Sequence, residues 1–165
     1  MTQYPIFIDF ECSSPDEDGF PIAVCWSTPD GQVKSTLITP EDSWLESQSH
    51  LFDDSRIDIN DLMLHGVSPL AVIRELQGDI DTDVVYVDGS GEDEHWLDML
   101  LDSYQMNAQV AVEPAPSLYD VSYDEWVQRR DEWLAERGMD PYQSEANVLA
   151  MLHLHQVLID DRRHS

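Results

Sequence analysis

The chain has 165 residues, of which 34 are Asp or Glu and 8 are Lys or Arg, for a formal charge of −26; 42% of its residues are hydrophobic, and it carries five Trp. Such an apolar fraction excludes a disordered acidic tail and suffices for the core of a single domain over residues 1–165. No apolar run approaches the ~20 residues of a membrane helix and no basic-then-apolar leader opens the chain, so a soluble, cytoplasmic protein with no membrane partner is expected. In chain order, Tyr4 to Phe10 is predicted as a strand, followed by the polar loop Ser14 to Gly19. Further strands are predicted at Phe20 to Ser27 and Val33 to Ile38, with Asp30-Gly31 as the hairpin turn between them. Asp42 to Leu62 reads as irregular and acidic, anchored by Trp44 and Phe52. Ser68 ahead of Pro69 predicts a capped helix over Pro69 to Leu76. Val84 to Val87 has the character of a short buried strand and Glu92 to Tyr104 that of an amphipathic helix. A last strand over Gln109 to Val112 and two helices, Tyr123 to Arg137 and Gln143 to Ile159, complete the chain, with Gly138 and Pro141 separating the helices. A meander of strands followed by alternating helix and strand implies an α/β protein, a mixed sheet with helices packed on it.

The chemistry concentrates in Pro5-Ile6-Phe7-Ile8-Asp9-Phe10-Glu11. Side chains two apart in a strand share a face, so Asp9 and Glu11 project together while Phe10 points the other way. Two like charges on one face of a central strand repel unless something offsets them, and a hard divalent cation with oxygen ligands does so. The alternative is coincidence in an acid-rich chain, although Asp-x-Glu occurs once only. Cys12 and Cys25 are far from zinc spacing and read as core or near-site thiols of a reducing compartment, buried small hydrophobes in the plainer reading. The acidic balance leaves few residues for a phosphate-gripping patch. It fits adaptation to a salty interior, mimicry of nucleic acid, or a substrate held mainly through metal ions.

The order of segments carries a resemblance. Phe7-Ile8-Asp9-Phe10-Glu11-Cys12-Ser13-Ser14 is followed by Pro21-Ile22-Ala23-Val24, Leu37-Ile38-Thr39-Pro40 and His65-Gly66-Val67-Ser68. Val85-Tyr86-Val87-Asp88 then leads through Asp93 to Trp96-Leu97. In this order they resemble the DEDD superfamily of 3′–5′ exonucleases, the ribonuclease T-like and proofreading-type enzymes, over nearly the whole chain. The resemblance implies a ribonuclease-H-like fold: a mixed five-stranded sheet, its first three strands antiparallel, flanked by helices. It also implies a two-ion Mg2+ or Mn2+ site with Asp9 bridging the ions, Glu11 helping to hold the first and Asp93 serving the second. The partner would be a single-stranded RNA or DNA 3′ end, with Phe10 and His65 as substrate contacts, and related exonucleases often pair as homodimers.

The third motif departs from the family. Its histidine subclass reads His-Arg-Ala-Glu-Ala-Asp-Ala, whereas this chain has Tyr142-Gln143-Ser144-Glu145-Ala146-Asn147-Val148. Tyr142 stands in the place of the general base and Asn147 in that of the last metal-binding acid. The tyrosine subclass, one residue shorter in spacing, would put its acid at Ala146. Asn147 offers a carbonyl oxygen without charge, and a tyrosine of ordinary pKa ~10 is a poor base. Glu145 points away from Asn147 on a helix, and His153 and His155 read as core or surface residues rather than bases. Asp88 before Gly89 reads as a turn former, with metal or substrate contact as the other reading. Trp96 and Leu97 read as core, and Arg129 and Arg130 as either phosphate contacts or partners of Asp131 or Glu132. The expected function is metal-dependent 3′–5′ exonuclease activity. The alternatives are an impaired pseudo-exonuclease that binds a protein or nucleic-acid end, and an acidic nucleic-acid mimic.

Overall fold

The protein is seen as a computed structural model that describes residues 3–14, 19–46, 59–89, 92–104, 110–141 and 143–163. Its architecture is α/β. Strands β1 (Ile8–Cys12), β2 (Pro21–Ser27) and β3 (Val33–Leu37) form an antiparallel sheet in the order β1-β2-β3. The register sets Asp9 opposite Cys25 and Ser27 opposite Val33. The turn between β2 and β3 works because Gly31 takes φ +81°, a left-handed conformation, against the ring of Tyr4. After the short helices α1 (Asp42–Glu46) and α2 (Ile59–His65) comes α3 (Pro69–Asp79). It starts where expected: Pro69 supplies a pre-set φ and Ser68 Oγ accepts from the Ala71 amide at 3.3 Å.

The second part of the sheet is parallel. Strand β4 (Val84–Val87) pairs with β5 (Ala111–Pro114), and α4 (Asp93–Asp102) makes the crossover. The five strands thus form a three-stranded and a two-stranded sheet rather than one continuous ladder. What joins them is an isolated parallel bridge between Phe7 and Tyr86, with the Tyr86 amide donating to the Ile6 carbonyl at 2.9 Å. A 3-10 turn (Ala115–Leu118) leads to α5 (Tyr123–Glu136), capped by Ser122, and then to α6 (Ser144–Arg163).

Period-two alternation divides most of the sheet between two apolar cores, although Ala23 joins the core of its neighbours Ile22 and Val24. Ile6, Ile8 and Phe10 of the first segment, Val24 and Trp26 of β2, and Val85 and Val87 of β4 pack with α3 and α4 through Ile73, Trp96 and Leu100. Phe7 and Cys25 face the other way and pack with α5 and α6 through Trp126, Val148 and Met151, with Tyr86 against them. Burying one such large side chain contributes about 1.5–3 kcal/mol, so each face is strongly held in register.

Several expectations shift. The first strand begins at Ile8 and runs to Cys12, so Asp9 and Glu11 lie within it and not at its end. The stretch expected to be irregular holds helix at both ends, α1 and the start of α2; Trp44 anchors it by stacking on Phe20 at 5.9 Å, while Phe52 lies outside the described residues. The last strand is displaced to Ala111–Pro114 because it pairs in register with β4, and Val112 packs from its margin against the α3/α4 core. Among the described residues no helix is long and apolar enough to cross a membrane.

Candidate metal centre

The sheet face that meets α5 and α6 carries the acids. Two residues beyond the Phe7–Tyr86 bridge, on adjacent parallel segments, stand Asp9 and Asp88. Period two puts each on the same face as its bridge residue. Gly89, at φ +90°, then turns the chain back so that α4 opens with Asp93 pointing into the same space. The result is a group of three buried carboxyls, Asp9, Asp88 and Asp93, each offering an oxygen within 4.8 Å of the others. Their exposures are 7%, 4% and 6%.

Each carboxyl is aimed by an N–H donor. Asn147 Nδ2 donates to Asp9 Oδ2 at 3.0 Å, the Phe10 amide to Asp93 Oδ1 at 3.0 Å, and Arg130 Nη1 to Asp88 Oδ2 at 2.7 Å. Asn147 Nδ2 also donates to the Pro141 carbonyl at 2.7 Å, and with two acceptors on one nitrogen the orientation of the amide is fixed. Asn147 Oδ1 is buried and has no donor among the described residues. The three close carboxyls form an all-oxygen donor set, which suits a hard divalent cation.

The electrostatics agree with that need. Burial, reinforced by the charge of Asp93, pushes Asp9 well above the usual carboxylate range, against the opposing hydrogen bond from Asn147. Burial also pushes Asp93 up to about 7, although the Phe10 amide favours its ionised form. Without a cation Asp93 therefore stays partly protonated near neutral pH. A cation stabilises the charged form and displaces the proton.

The structure sorts the other sequence-predicted residues. Glu11 shares the face of Asp9, but its Oε2 accepts from the Ser144 amide at 3.1 Å and from Ser144 Oγ at 2.7 Å. It lies outside the three-acid group and instead caps α6, where an anion meets the positive end of the helix. Phe10 is buried in the α3/α4 core, and its contribution at the centre is its backbone amide. His65 ends α2, exposed, and Glu145 is exposed on α6. Tyr142 lies outside the described residues. Trp96 and Leu97 are core residues. His155 is buried with its Nδ1 2.7 Å from Tyr119 Oη, and His153 stacks on Trp133. Cys25 is buried, and its thiol is pushed up to about 12 by burial and then by the carboxylates of Glu145, Asp9 and Glu11, which leaves it inert.

Asp88 is the correction of consequence. The turn reading of Asp88-Gly89 is locally right, yet the side chain belongs to the carboxyl group and to Arg130. The signal that finds it is the alternation of Val85 and Val87 inward on one face, which leaves Tyr86 and Asp88 on the other. Arg129 pairs with Glu125 and Asp161 on the helix surface, whereas Arg130 reaches inward. No protein-family model matches the chain, and no curated protein matches it.

Proposed function

We propose that the chain is a divalent-metal-dependent 3′–5′ exonuclease of ribonuclease-H-like fold, acting on single-stranded RNA or DNA ends. The buried Asp9–Asp88–Asp93 group carries this reading. Strand order supports it: an antiparallel β1-β2-β3 unit followed by a parallel β4-β5 pair bridged to the segment before β1. Mg2+ or Mn2+ held there supplies Lewis-acid polarisation of a phosphate oxygen and a water of lowered pKa. Asp9 and Asp93 hold the cation as anionic ligands. Asp88 adds a third carboxylate, and the Asn147 carbonyl offers a neutral oxygen. Asn147 Nδ2 and the Phe10 amide fix the rotamers of Asp9 and Asp93, so the ligands are preorganised before the cation arrives.

A second reading has its own observation. Asn147 occupies the place of an acid, and Glu11 is committed to Ser144. Two charges expected at the centre are therefore missing from it, which favours a pseudo-exonuclease that binds a nucleic-acid end or a protein without cutting. Incubation of 5′-labelled single-stranded RNA and DNA with Mg2+ or Mn2+ separates the two. Stepwise shortening from the 3′ end, stopped by chelator and absent in Asp9→Ala, establishes the nuclease. Intact oligonucleotide in the presence of an Asp9-dependent bound cation establishes the binding module.

A further inference from the structure

Arg130 reaches the edge of the carboxyl group. Its side chain is 11% exposed and that of Asp88 is 5% exposed. Nη1 is 2.7 Å from Asp88 Oδ2, while Nε and Nη2 are each 3.2 Å from Asp131 Oδ1 at the margin. α5 therefore delivers the positive charge of a guanidinium into the edge of the carboxyl group. We infer that Arg130 restricts this centre to one divalent cation, its guanidinium holding by a fixed charge the position that a second ion would fill. The inference rests on the reading of the Asp9–Asp88–Asp93 group as a cation site.

Two observations carry it. The first is charge. Three ionised carboxyls and one guanidinium leave two negative charges, which one divalent ion neutralises. Two ions would leave the same buried space with a surplus of two positive charges, and uncompensated buried charge is costly. The second is the commitment of ligand atoms. Asp9 Oδ2, Asp88 Oδ2 and Asp93 Oδ1 each already accept an N–H, so part of the acceptor capacity of every acid is taken before any ion arrives. Glu11, the residue expected to help hold an ion, is bound at Ser144. The 4.8 Å spread of the ligand atoms fits opposed ligands of one ion, about 4–5 Å apart at ordinary metal–oxygen lengths.

Manganese binding to the full chain tests this without any activity assay. Equilibrium dialysis gives the stoichiometry, and electron paramagnetic resonance distinguishes an isolated Mn2+, with its six-line spectrum, from an exchange-coupled pair. The wild type should bind one uncoupled Mn2+ per chain, weakened at least tenfold in Asp9→Asn. Arg130→Gln should admit a second ion at millimolar Mn2+, and Arg130→Lys, which keeps the charge, should remain at one. Two coupled ions in the wild type, or a single ion in a folded Arg130→Gln, overturns the role of Arg130 and leaves the metal reading standing. No Asp9-dependent Mn2+ overturns both.

Discussion

Asp93 and Asn147 are the two residues at which the proposed centre is most directly probed, one through its proton and the other through its amide. Asp93 goes from an ordinary 3.8 to about 7 on folding, chiefly through burial. The folded protein therefore holds a proton that the unfolded chain releases. The associated stability is complete below about pH 4, falls as pH rises, and is lost above about pH 7. The full difference is on the order of 4 kcal/mol. Asp93→Asn keeps an acceptor for the Phe10 amide and removes the ionisation. Thermal unfolding of the metal-free protein between pH 5 and 8 should show the wild type losing more stability than Asp93→Asn, which should be the more stable of the two at pH 8. Parallel pH profiles would show that Asp93 does not titrate in this way. Asn147→Asp acts in the opposite direction: it removes the donor to Asp9 and to the Pro141 carbonyl and adds a like charge. The metal-free variant should lose about 1–3 kcal/mol of stability at neutral pH, while Mn2+ binding by calorimetry should tighten tenfold or more. Weaker Mn2+ binding in the variant would mean that Asn147 is not positioned as a ligand. At this scale the sequence was legible for Asp9 and Asp93 and misleading for Asp88. A local Asp-Gly pair explains itself as a turn, and nothing local announces Arg130, 42 residues away in the chain.

The elements explain why Glu11 leaves the group. On β1, Asp9 and Glu11 are two residues apart on one face, and on α6, Ser144 and Asn147 are one turn apart on one face. Laying the first turn of α6 across β1 matches the pairs, Asp9 with Asn147 and Glu11 with Ser144. The spacing rule for strands was enough to put the two acids together. It was silent on which of them the incoming helix would take, because that depends on packing between segments more than 130 residues apart. The same distinction holds for β4 and β5: the apolar run of β4 was readable, whereas the bounds of β5 come from parallel pairing and not from its own pattern. If Glu11 is a cap, Glu11→Gln keeps an acceptor for Ser144 and should cost about 1 kcal/mol, and Glu11→Ala about 2 kcal/mol. Mn2+ affinity in a folded Glu11→Gln should stay within threefold of the wild type, against a loss of at least tenfold in Asp9→Asn. An equal loss in both variants would return Glu11 to the metal centre. Denaturant unfolding and calorimetry on the same samples separate the two effects.

At the scale of the whole molecule the net charge of −26 decides how a polyanion approaches. Among the described residues, four of the positive charges are already used locally. Lys34 pairs with Asp79 and Glu75, Arg129 with Glu125 and Asp161, Arg130 with Asp88, and Arg137 with Glu136 while lying over the Trp133 ring. A protein that binds nucleic acid through a basic groove releases counterions, and six to ten phosphate contacts lose about 10³–10⁵ in affinity between 50 and 200 mM salt. This chain has the reverse problem, a long-range repulsion that salt relieves. The Debye length falls from about 30 Å at 0.01 M to about 8 Å at 0.15 M, so repulsion between distant surfaces is largely removed while a contact through a bound cation in a buried site is screened much less. Binding of a short single-stranded oligonucleotide, followed by fluorescence anisotropy at fixed Mn2+ in Asp9→Asn and wild type, should therefore tighten severalfold as NaCl rises from 10 to 150 mM. It should also require the metal and be lost in the variant. A steep fall in affinity over the same range would show that a basic surface grips the phosphates, and binding indifferent to metal would remove the centre from the encounter altogether.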